Sequence, residues 1–275
     1  MTVLPLTYGQ RLTAYVSVAR VQVRIQLVYR GDFLFRLLGL LVNIYLLRLV
    51  WQAVYPASGT AAANDGHRIT LATQIAYVTL ASVQNWLLSS GGMGFIPQRV
   101  RDGTVAVDLV RPVRFPTQMV WAQSGTIAAQ LPFALAALPF ALLVGGARPP
   151  ASAGAALGYL LSLLPAALIA LLMATLVQMV SFWTLETSGI FVIYAFVQQF
   201  LAGSLVPLWF MPEWLRLLAQ WLPFQATTYA PVAVYLGQAG VWATLGIQLA
   251  WCAVLLMLLA LMWRRALHRV VVQGG

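Results

Sequence analysis

The sequence predicts an all-α polytopic membrane protein. Three observations carry that prediction. Apolar runs near the length of about 20 residues that a helix needs to cross hydrocarbon recur along the chain. The composition is 61% hydrophobic and only 8% charged, with a mean hydropathy of +0.83. Most of the charges fall between the apolar runs rather than within them. A soluble protein of 275 residues carries far more charge on its surface.

The elements follow in chain order. Within residues 1–30, Leu12, Tyr15, Val16, Ala19, Val23 and Leu27 recur at helical spacing, with Arg11, Arg20 and Arg24 largely on the other side. This predicts a cytoplasmic amphipathic helix on the membrane surface, arginines toward anionic headgroups. Six transmembrane helices are expected next, at residues 33–55, 69–89, 118–144, 155–180, 189–206 and 241–263. The first is too long for a signal-peptide h-region. Pro132 and Pro139 predict bends in the third span, and Pro165 interrupts the fourth.

Between spans 2 and 3 lies a charged strip, residues 94–116. Arg99, Arg101, Asp102, Asp108, Arg111 and Arg114 crowd into it. Residues 104–110 have room for two helical turns before Pro112. Residues 207–240 are apolar but broken by Pro207, Pro212, Pro223 and Pro231. They predict an outer re-entrant hairpin of two short helices, 212–221 and 227–236, with Trp209, Trp214, Trp221 and Tyr229 at headgroup level. The whole chain, 1–275, is expected to form a single transmembrane domain.

Arginine sets the orientation. With the N-terminus inside, eleven loop arginines fall on the inner side, while only Arg68, Arg148 and Arg216 fall outside. Both termini and the strip are therefore expected in the cytoplasm. A seventh span within 207–240 would reverse the C-terminal arginines against this bias.

Composition also excludes chemistry. All 16 basic residues are arginine. Without lysine the chain has neither the P-loop amine of a Walker-type ATPase nor the amine of a Schiff-base enzyme. The single Cys252 rules out an internal disulfide, and His67 and His268 are far apart in sequence for a metal site. No catalytic residue, metal site or resident cofactor is expected in this chain, and no nucleic-acid partner.

The plan and three local runs carry a resemblance. They are the strip Arg101-Asp102-Gly103-Thr104-Val105-Ala106-Val107-Asp108-Leu109-Val110-Arg111-Pro112-Val113, the start of span 5 at Ser181-Phe182-Trp183-Thr184-Leu185-Glu186, and the outer Gly203-Ser204-Leu205-Val206-Pro207-Leu208 followed by Met211-Pro212-Glu213-Trp214. Together they resemble the membrane (permease) subunit of type-2 ABC exporters, nearest the branch of daunorubicin-type and viologen-type exporters. The resemblance implies a multidrug-efflux type of permease in a bacterial inner membrane, dimeric with an identical or related permease. Two copies of a separate ATP-binding subunit would carry the ATP and Mg. The cargo would be a hydrophobic, amphipathic or cationic compound, drug-like or lipid-like, moved out of the cell.

On that reading the strip is a coupling helix. Arg99, Arg101, Asp102, Gly103, Val105, Asp108, Leu109, Arg111 and Pro112 are its candidate coupling residues, with Val105, Leu109 and Val113 as an apolar plug among charges. A solvated basic loop is the competing reading, but it leaves the interleaved valines unexplained. Arg48, within span 1, either snorkels or lines a pathway. Glu186 either caps span 5 or meets a cationic substrate. Trp183, Phe191, Tyr194 and Phe200 either pack helices or form an aromatic wall. The amides Asn43, Gln74, Gln84, Asn85, Gln123, Gln130, Gln178, Gln198 and Gln199 bond between helices or face a transport cleft. Two rivals remain: an intramembrane lipid-modifying enzyme and an ion-coupled carrier. The first needs converging catalytic groups and the second titratable groups at midplane. The sequence places neither there.

Overall fold

The computed structural model describes residues 7–28, 30–62, 68–89, 94–111, 113–184 and 186–273. The chain begins with α1 (Tyr8–Val28) and α2 (Arg30–Val54), then a two-stranded antiparallel hairpin, β1 (Thr60–Ala62) and β2 (Arg68–Thr70). There follow α3 (Leu71–Leu88), the short α4 (Phe95–Arg101) and α5 (Val105–Val110), and the long α6 (Phe115–Leu143) and α7 (Ala153–Met179). After these come α8 (Ser188–Leu201), the short α9 (Glu213–Gln220) and α10 (Tyr229–Tyr235), and α11 (Val241–Gln273). The chain is all-α apart from the small hairpin.

Among the described residues, four helices are long and apolar enough to cross a membrane. They are Leu34–Val54, Phe115–Leu143, Ala153–Phe182 and Val241–Arg269, at the positions expected for spans 1, 3, 4 and 6. Prolines 132, 139 and 165 are accommodated inside continuous helices. The other two expected spans are helices of a different kind. With 18 residues, α3 is about 27 Å long. It carries Gln74, Thr79, Ser82 and Gln84 on buried positions, which lowers its hydropathy. It starts at Leu71 because the Thr70 hydroxyl accepts from the Thr73 amide at 3.2 Å. With 14 residues, α8 reaches about 21 Å, short of a hydrocarbon core of about 30 Å.

The polar side chains of α3 have a structural use. Tyr77 donates its hydroxyl to the Gly203 carbonyl at 2.9 Å, and Gln84 Nε2 donates to the Thr227 carbonyl at 2.7 Å. Trp209 Nε1 donates to Gln74 Oε1 at 3.1 Å. A proline-broken backbone needs such partners wherever water is scarce. The stretch from Gly203 to Thr227 is therefore pinned onto α3, and α9 and α10 fall where the two short helices are expected. One detail changes: Trp209 is 5% exposed and packs on Tyr77 and Tyr229, so it belongs to the core and not to the headgroup level. Trp214 and Trp221 are exposed.

The N-terminal helix departs from a purely surface-bound one. Tyr15 stacks on Trp121 of α6 at 6.4 Å, and the Arg114 amide donates to the Tyr15 hydroxyl at 3.0 Å. A Cβ on Gly125 would lie 2.3 Å from the Ala19 carbonyl oxygen, so only glycine allows this crossing. The Tyr15–Ala19 part of the apolar stripe therefore packs on protein. Leu12 and Leu27 at its ends remain exposed.

Candidate functional site

The strip folds into two short helices at right places for a compact unit. Helix α4 ends where the Asp102 amide donates back to the Gln98 carbonyl at 2.9 Å. The turn then passes through Gly103 at φ +67°, a conformation that side-chain-bearing residues resist. The Val107 and Asp108 amides both donate to the Thr104 carbonyl, opening α5.

Asp108 holds the two helices together. Its side chain is buried, with Arg99 Nε at 2.8 Å and Arg111 Nη1 at 3.4 Å. Arg99 also donates through Nη1 to the Phe95 carbonyl at 3.1 Å. A buried carboxylate is tolerated because it is paired in this way. Val105 turns into the core beside Ile96, Phe115 and Met119. This corrects the expected plug. Val105 anchors α5 to the bundle, while Val107 and Val110, 62% and 82% exposed, form the outward apolar face with Leu109 at its edge. Arg101, Asp102 and Arg111 are exposed, and Asp102 and Arg111 line the same groove as Val107. Pro112 lies outside the described residues. A groove of about 640 Å³ runs beside the unit, lined by Gln22 and Gln26 of α1 as well as by α4 and α5. Neither glutamine is suggested by the sequence, because only the folded chain brings α1 alongside the strip.

A buried hydrogen-bond chain joins the strip to the long helices. The Ile96 amide donates to Gln178 Oε1 at 3.3 Å, Gln178 Nε2 to Gln123 Oε1 at 3.2 Å, and Gln123 Nε2 to the Thr175 hydroxyl oxygen at 2.8 Å. Thr175 in turn donates to the Leu171 carbonyl at 2.7 Å. The strip is thus fastened to α6 and α7.

The other candidates separate. Arg48 donates to the Val144 carbonyl at the C-terminal end of α6, where a cation offsets the helix dipole. Glu186 is exposed, and its Oε1 accepts from the Ser188 amide at 2.9 Å. Hydrogen bonds from Ser188, and after them the charge of Arg101, hold its carboxyl below the usual carboxylate range. It is a cap for α8. The four aromatics do not form one wall. Trp183 edges onto Phe182 and lines an apolar groove of about 730 Å³ against Met262 and Arg265. Tyr194 is buried against Phe224, Phe191 is half-buried and Phe200 is exposed.

Another cavity lies apart from the strip. A cleft of about 300 Å³ opens between α2, α3, α6 and the end of α8. Asn43, Asn85, Gln130 and Gln199 line it, whereas Gln74, Gln84, Gln123 and Gln178 bond between elements.

The fold is a bundle with four helices long and apolar enough to cross a membrane among the described residues, and comparison with known families gives its class. The family model described as ABC-2 family transporter protein matches residues 68–274. The chain belongs to the ABC-2 transporter family, and it is a multi-pass membrane protein. Permeases of this family are transporter membrane subunits, rather than enzymes, and pair with an ATP-binding subunit. No curated protein and no solved structure gives a match to the chain.

Proposed function

We propose that this chain is the permease of an ATP-driven exporter for a hydrophobic or amphipathic compound, and that the α4–α5 unit receives the stroke of the ATP-binding subunit. The supporting observation is the two-sidedness of α5. Its inner face is locked by Val105 and Asp108, and its outer face offers Val107 and Val110 to no partner within the described residues. Exposed valines beside charged residues suit a protein interface better than bare water.

The remaining reading is built on this. Helices α3 and α8 complete six spans, α3 enclosed by protein and α8 continued by the re-entrant region. Both termini lie in the cytoplasm of a bacterial cell, in its inner membrane. A second permease, identical or related, and two ATP-binding subunits complete the transporter, with ATP and Mg held by the latter. The daunorubicin/viologen branch is the proposed relationship.

The test is copurification from cells that express the permease with its ATP-binding subunit. Val107→Asp and Val110→Asp should each cut recovery of that subunit about tenfold or abolish substrate-stimulated ATPase activity, with the permease still eluting as a folded species. Wild-type recovery and coupling in both variants overturn the docking role.

A further inference from the structure

We infer that the cleft between α2, α3, α6 and α8 is a binding site for an uncharged, hydroxyl-rich headgroup, a glycosyl group being the simplest, carried on an apolar body. The inference rests on the exporter reading and deepens it by naming the cargo's chemistry.

The cleft's walls are polar where lipid-facing walls are not. Asn43, Ser82, Asn85, Gln130, Gln199 and Ser204 contribute amides and hydroxyls from four different elements. Gln130 stands midway along α6, and Gln199 and Ser204 flank the end of α8. A helix that stops about two thirds of the way across the hydrocarbon leaves irregular backbone at depth. Such backbone persists where it lines a cavity.

Two of these groups lack partners. Gln130 Oε1 and the Ser204 hydroxyl are buried and make no hydrogen bond among the described residues. A buried polar atom without a partner is destabilising, so a bound molecule that supplies hydrogen-bond donors gains affinity here. Gln130 Oε1 only accepts, which selects a ligand with O–H or N–H groups.

Charge selects among such ligands. Among the described residues no carboxylate lines the cleft. The only charged residue that does, among the described residues, is Arg36, already paired with Asp32 at 2.8 Å. A cation would be desolvated there without a counter-charge, and an anion would have to compete with Asp32. Neutral hydroxyls match amides that both donate and accept. Trp86 adds an aromatic lining, and Leu40, Leu47 and Leu205 add apolar surface for the remainder of the molecule. The cationic cargo considered from the sequence is therefore disfavoured at this site.

The experiment uses the permease with its ATP-binding subunit in lipid nanodiscs. Binding of fluorescent glucosylceramide is compared with that of the same ceramide lacking the sugar, with dodecyltrimethylammonium as cationic competitor. The sugar-bearing probe should bind about tenfold more tightly. Gln130→Leu and Asn85→Ala should each erase most of that difference, and the cation should not displace the probe. Asn85 is only half-buried, so its variant keeps the test decisive should Gln130→Leu fail to fold. Equal binding of both ceramides, displacement by the cation, or wild-type preference in folded variants overturns the inference. Retention of the ATP-binding subunit in the same samples shows whether the exporter reading survives such a result; its absence would overturn that reading instead.

Discussion

Asp108 shows how one residue decides the character of a segment. By composition the strip is basic, and a basic strip marks a cytoplasmic loop. The structure gives it an acid at its centre, within reach of two arginines from either side. Removing that acid leaves Arg99, itself only one-third exposed, without its carboxylate. The expected cost is about 1–3 kcal/mol, the range for orphaning a buried partner. Asp108→Ala should therefore melt at a lower temperature than Asp108→Asn, which keeps a hydrogen-bond acceptor, and should lose ATPase coupling more completely. A thermal-shift series on the detergent-solubilised complex checks both. Glu186 is the contrasting case. Its carboxyl is held below the usual carboxylate range, so the cap on α8 is fully present above that range and is lost only as pH falls through the lowered value. Between pH 6 and 8 the melting temperature of wild type relative to Glu186→Ala should stay constant, at roughly the range where an ordinary carboxylate is already ionised.

At the scale of elements, sequence and structure agree where periodicity or proline speaks and part where tertiary contact decides. The spans at α2, α6, α7 and α11 were legible because long apolar runs have one stable outcome in lipid. The short α9 was legible because Pro212 and Pro223 bound it, and α10 because Pro231 falls in its first turn. The partner of α1 was not legible. An amphipathic stripe looks the same whether it meets lipid or another helix. The signal is Gly125, which is meaningful only once Ala19 is seen against it. Gly125→Leu should detach α1 from α6 without unfolding the bundle. Faster proteolysis between α1 and α2, with the remaining fragment intact, is the expected result.

At the scale of the molecule, the amides divide into two populations that a sequence cannot separate. Gln74, Gln84, Gln123 and Gln178 bond between elements, and Asn43, Asn85, Gln130 and Gln199 line the cleft. Their types and spacings are alike; only the topology sorts them. The same holds for the valines of the strip, of which Val105 faces in and Val107 and Val110 face out. Orientation of the whole was read from arginine alone. Single cysteines at Ala106 and Trp221, in a chain with Cys252→Ala, test it in intact cells. A membrane-impermeant maleimide should label the position at 221 and spare the one at 106 until the membrane is opened.

The crossing of Ala19 over Gly125 also constrains how the chain is made. More than a hundred residues separate the two, so α1 leaves the ribosome well before its docking site exists. At about 5–20 residues per second the wait is on the order of 5–20 s. During that interval Tyr15 and Ala19 lack their α6 partners, Trp121 and Gly125. The contact between α1 and α6 therefore closes late, after every residue between them has been made.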